Sequence, residues 1–211
     1  MSNANTWKSP RYWGAIWCLA STIWFGLHLE LSILPTITIA VCLLIGLWLG
    51  GRFPLWLSLF HSTDHKIILD NRREWTTALA LGVLCVIATA HAFNLAPTKC
   101  LTIATPGIIF AYAGGKLGCY RYGCCDWSAR FFTEKISLPL IEGLLSGLLG
   151  IFLHIGLIFG IAERSVLILG ITCLGLIRQS ALFFRDEPVF YFKSIKVDGV
   201  ILLLSVPFIF Q

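Results

Sequence analysis

The chain has 211 residues, 57% of them hydrophobic and only 13% charged, with a formal net charge of +5. A soluble domain carries about 25% charged residues, so this composition excludes an ordinary soluble globule and a disordered tail and points to an integral membrane protein. An excess of cations in so apolar a chain suits an anionic lipid surface rather than a nucleic acid.

A bilayer-spanning helix needs about 20 apolar residues, within a range of roughly 17–25. In chain order the predicted spans are 12–28, 33–50, 75–93, 100–115, 138–162, 166–184 and 197–210. The fourth is the shortest of the first six and is interrupted by Pro106 and Gly107. The fold class expected is therefore all-α and polytopic, with seven transmembrane helices. With no repeats, low-complexity tracts or linkers, residues 1–211 read as a single transmembrane domain. The first apolar run follows Lys8 and Arg11 and no small-residue cleavage site comes after it, so no signal peptide is expected.

An odd number of spans puts the two termini on opposite sides. The side holding the N-terminus then collects Lys8, Arg11, Arg52, Lys66, Arg72, Arg73, Lys116, Arg121, Arg130, Lys135, Arg185, Lys193 and Lys196. The other side holds only Lys99 and Arg164. By the positive-inside rule the N-terminal side is cytoplasmic. Whatever the absolute orientation, Lys116 after span four, Glu142 near the start of span five and Arg178 near the end of span six fall on one membrane face.

Chemistry concentrates in Gly114-Gly115-Lys116-Leu117-Gly118-Cys119-Tyr120-Arg121-Tyr122-Gly123-Cys124-Cys125, which closes an apolar run and is expected to open a polar loop. Gly allows close approach of backbone to a ligand, and cations beside apolar surface suit an anionic head group. Arg178 and Arg185 lie seven residues apart, about two turns, on one helix face. A charge inside a span is costly and is usually paired or functional. Arg178 therefore either snorkels to the interface or clamps a phosphate with its planar fork. Glu142 is either a structural partner of Arg178 or Lys116, or a base that accepts a proton or a hydroxyl near the reacting group.

Cys18, Cys42, Cys85 and Cys173 lie in apolar runs and read as small core residues. Cys119, Cys124 and Cys125 match no common zinc spacing. They are packing residues, a disulfide in an oxidising space, or a nucleophilic or acyl-carrying thiol. No metal or cofactor is expected. His28, His91 and His154 read as structural. His61 and His65, flanking Asp64, read as a solvated loop or as a general base.

These residues together resemble the prolipoprotein diacylglyceryl transferase family. Gly115-Lys116-Leu117-Gly118-Cys119 stands where that family has Gly-Arg-x-Gly-Asn, and Gly123-Cys124-Cys125 resembles a Gly-Cys-Cys variant of its shorter members. Pro106 precedes Lys116 by ten residues, and Glu142 stands where a Tyr-Glu pair opens the next helix. The segment from Arg178 to Arg185, with Phe183-Phe184 and Pro188, resembles Arg-x-x-x-Glu-Phe-Phe-Arg-x-x-Pro. Asp198-Gly199 with Leu203-Leu204-Ser205-Val206-Pro207 resembles the opening of the last family helix. The likeness runs in order from about residue 97 to 211. Lys116 replaces the family Arg, Cys119 its Asn and Leu182 its Glu, and the family's His-Gly-Gly segment has no counterpart. The family also exposes its signature loop to the exterior, where the charge count puts this one inside.

The resemblance implies a membrane-embedded transferase that moves diacylglyceryl from phosphatidylglycerol to the thiol of a lipoprotein-precursor cysteine, in a bacterial plasma (inner) membrane. It implies an anionic phospholipid partner and an acceptor protein or small molecule. Arg178, Lys116 and Glu142 are the expected catalytic residues. Gly115, Gly118, Cys119, Arg121, Gly123 and Arg185 are the expected substrate-binding residues. The alternatives are a catalytically inactive lipid-binding or scaffold protein of the same fold, or a lipid transferase with a cytosolic acceptor.

Overall fold

The computed structural model describes residues 10–52, 75–122, 128–131 and 134–183. Among them are six helices: α1 Pro10–His28, α2 Ile33–Gly50, α3 Trp75–Ala92, α4 Pro97–Tyr122, α5 Leu138–Ile158 and α6 Glu163–Phe183. A two-stranded antiparallel hairpin, β1 Ser128–Phe131 and β2 Glu134–Ser137, lies between α4 and α5 and pairs Ser128 with Ser137. The all-α expectation holds for the fold class, and this short hairpin is a local addition that the sequence reading did not include. Four-residue strands are too short to show the alternation that marks a strand in sequence.

Three helices, α2, α4 and α5, are long and apolar enough to cross a membrane, and α3 holds a shorter apolar stretch, Thr77–Ala92. This is consistent with an integral membrane protein. The stretch 197–210, expected as a seventh span, lies outside the described residues.

The largest correction concerns α4. It is one continuous helix of 26 residues, not a broken span over 100–115. Pro97 opens it at the first helical position, where a missing N–H costs nothing. Pro106 is fully buried within it. Pro106 offers no N–H to the Thr102 carbonyl, a defect that packed neighbouring helices can accommodate. The helix also runs through Gly114, Gly115 and Gly118 to Tyr122, so most of the expected polar loop is helical.

Three of the helix ends, those of α1, α3 and α5, follow one rule. At the close of α1, Leu31 N–H donates to Gly26 O and Glu30 N–H to Leu27 O. Leu95 to Ala90 with Asn94 to His91 closes α3, and Ile161 to Gly156 with Gly160 to Leu157 closes α5. Each is a Schellman stop, which needs a left-handed residue just past the helix. Gly160 (φ 84°) takes that conformation freely, Asn94 (φ 52°) tolerates it, and Glu30 (φ 58°) pays a steric penalty.

The residues divide into two compact units, 1–18 with 105–211, and 19–104. In the second, α2 packs against α3. A Cβ on Gly46 would lie 2.9 Å from Gly82 Cα, and Thr77 Oγ1 donates to Gly50 O at 2.7 Å. In the first unit α4 is the central post. Gly14 of α1 meets Gly114 so closely that a Cβ on Gly14 would stand 2.7 Å from Gly114 Cα. Leu117 and Phe110 of α4 lie against Gly143 and Gly150 of α5, and Thr105 and Ile109 lie against Gly170 of α6. Small residues that let helix backbones approach are the usual packing device within a bilayer.

Helix α5 shows the polarity of that unit. Its buried face carries Glu142, Ser146, Gly150 and Leu153. Its exposed face carries Leu144, Leu145, Leu148, Ile151, Phe152, Ile155 and Ile158, with Leu148 62% accessible. So large an apolar face is not left to water by a soluble protein.

Candidate functional site

The buried charge of the first unit is assembled from α4 and α5. Tyr112 and Lys116 are four residues apart, so they share one face of α4. Pro139 starts α5 in its first turn, and the next turn brings Glu142 to the same level. Glu142 is 3% exposed. Its Oε2 is ion-paired with Lys116 Nζ. The same oxygen accepts a hydrogen bond from the Tyr112 hydroxyl at 2.8 Å. Lys116 Nζ also stands 5.4 Å from the centre of the Tyr112 ring. A carboxylate, an ammonium and a phenol thus close on one another, with Lys116 retaining some access to the surface. One turn deeper on α5, the Ser146 hydroxyl is fully buried and has no hydrogen-bond partner among the described residues.

Arg178 belongs at the same depth. α5 and α6 pack together and are joined by the turn Phe159–Ala162, so they run antiparallel. Glu142 and Arg178 then stand roughly 22–24 Å from that turn, at 1.5 Å per residue. Leu167, Gly170, Leu174 and Arg178 recur at spacings of three and four, which is one helix face, and the first three are buried. Arg178 is half-buried and carries interactions of its own.

The other expected residues divide. Gly118 and Cys119 face α1 rather than α5: the side chain of Arg11 lies across Gly118, and Arg11 Nη2 donates to Cys119 Sγ at 3.8 Å. Gly115 meets no neighbouring atom within Cβ reach, and Arg121 is exposed near the end of α4. Gly123 and Arg185, with Cys124, Cys125, His61 and His65, lie outside the described residues. Among the described residues no cluster of His, Cys, Asp and Glu is arranged to hold a metal. His28 stacks on Trp24 with ring centres 5.0 Å apart, and His154 Nδ1 lies 2.8 Å from Gly150 O. His91 is exposed at the end of α3.

Two contributors were missed in the sequence. Tyr112 was readable as the residue one turn before Lys116 on a helix, but only with α4 continued through its glycines. Arg11 entered only as one charge among many, and its partners lie more than a hundred positions away. The chain matches no protein-family model and no curated protein.

Proposed function

We propose that this chain is a seven-span membrane transferase that acts on a glycerophospholipid, in the manner of prolipoprotein diacylglyceryl transferase, in a bacterial plasma membrane. The observation that carries the reading is the buried Tyr112–Glu142–Lys116 cluster at the depth of Arg178. A transfer from phosphatidylglycerol forms a bond from the acceptor sulfur to a glyceryl carbon and breaks that carbon's bond to phosphate oxygen. The thiol proton needs a base, and the departing glycerol phosphate needs a cation. Glu142 is the base, with Oε1 outside both contacts on Oε2. Arg178 holds the phosphate with its fork. Lys116 holds Glu142 in place through their ion pair, and Tyr112 orients it. No cofactor is required.

One observation favours the inactive lipid-binding alternative. Lys116 is already matched by Glu142, so that cation is not standing open for a phosphate. Turnover decides between the two. The detergent-purified chain is given phosphatidylglycerol with a labelled glycerol head group and a cysteine peptide or small thiol. Release of labelled glycerol phosphate is expected, with E142Q and R178A slower by about a hundredfold or more. Bound phosphatidylglycerol with no release from any thiol acceptor would reject the transferase and leave the scaffold.

A further inference from the structure

A second polar seat lies on α4, away from the Glu142 cluster. Gly118 and Tyr122 are four residues apart and form one face. That face is centred about 120° around the helix from the face of Tyr112 and Lys116, at 100° per residue. The stem of Arg11 rests on Gly118, where a Cβ would collide with Cγ of Arg11. The guanidinium carbon stands 5.4 Å from the centre of the Tyr122 ring, and Nη2 reaches Cys119 Sγ. The side chain is thus held along its length, by a glycine notch, an aromatic face and a thiol.

Depth is set by the aromatic residues around it. Tyr12, Trp13, Tyr120 and Tyr122 are all exposed at this end of α1 and α4. Exposed Tyr and Trp at helix ends mark the head-group level of a bilayer. Arg121 adds an exposed cation within one turn of Gly118. A guanidinium already fixed in orientation loses less freedom on binding and can meet phosphate oxygens two at a time.

We propose that Arg11, seated on Gly118 and Tyr122 with Arg121 beside it, binds the phosphate of an anionic phospholipid head group at a site separate from the Glu142 cluster. The lipid is of the phosphatidylglycerol class rather than a zwitterionic one, because two cations at one rim favour a head group with net negative charge. This inference rests on the membrane reading and not on the transferase, and its test needs no turnover.

The full chain in neutral detergent is offered equal phosphatidylglycerol and phosphatidylcholine, and the lipids retained are counted by native mass spectrometry. Wild type is expected to keep phosphatidylglycerol preferentially. R11A lowers that preference about tenfold. R11K recovers it only partly, because an ammonium lacks the fork. G118A, which pushes Arg11 off its seat without removing charge, falls with R11A. An unchanged preference in R11A, or in R11K should R11A not fold, overturns the proposal. So does a G118A variant that binds as wild type does. If E142Q and R178A abolish glycerol phosphate release while the Arg11-dependent preference stands, the two sites are distinct. If no release occurs in any form and the preference stands, only the transferase reading fails.

Discussion

At the scale of single residues, the Lys116–Glu142 pair is defined by how little water reaches it. A charge stripped of its partner in such a place is far more costly than the pair is valuable. K116A or E142A is expected to lower the unfolding free energy of the detergent-purified chain by about 3–5 kcal/mol. Y112F, which leaves the pair intact, is expected to cost about 1.5–3 kcal/mol through the lost bond to a charged acceptor. The double variant K116M/E142L should fall close to Y112F rather than to the single charge deletions, because it removes both charges and keeps apolar volume while giving up the Tyr112 bond. Thermal melts of the four proteins check this ordering, and a double variant as unstable as either single one would contradict it. Lys116 and Glu142 were both legible in the sequence as candidates. That they bond each other was one of two readings of Glu142, and sequence spacing does not choose between partners on different helices.

At the scale of elements, the apolar runs located the helices well because each run is bounded by a real chemical stop. α2 is framed by Ser32 and Gly51, and its bounds match expectation. α4 is the case where the pattern misled. Pro106, Gly107, Gly114 and Gly115 all count as breakers in an isolated helix, yet here Gly114 serves as the contact point for Gly14. A glycine inside a span reads as a flaw locally and as an interface only when the neighbouring helix is known. The hairpin β1–β2 escaped for the opposite reason, being too brief to leave a pattern. The three Schellman stops offer a direct test of local cost. E30G relieves a left-handed glutamate and is expected to stabilise the chain by about 0.5–1 kcal/mol, whereas G160A imposes the strain that E30G removes and is expected to cost about 1–2 kcal/mol. Opposite shifts of the two melting midpoints would bear this out, and shifts of one sign would refute it.

At the scale of the whole molecule, composition alone announced a membrane protein, and the exposed leucine and isoleucine face of α5 gives that statement a physical form. What no pattern supplied was the length of α4. Its 26 residues extend about 39 Å, against a hydrocarbon core of about 30 Å. Some two turns must therefore stand beyond the oil or tilt to remain in it. The last two turns of α4 carry Lys116 to Tyr122. In a C124S/C125S background, labelling of Cys119 by a water-soluble maleimide is expected to slow as the host lipid is changed from short to long acyl chains. A rate indifferent to chain length would mean that α4 does not register the bilayer edge. A single stiff rod with cations at one end behaves as a depth gauge: the thickness of the surrounding membrane decides how far its charged tip stands clear, and with it how readily an arginine and a lysine meet the water.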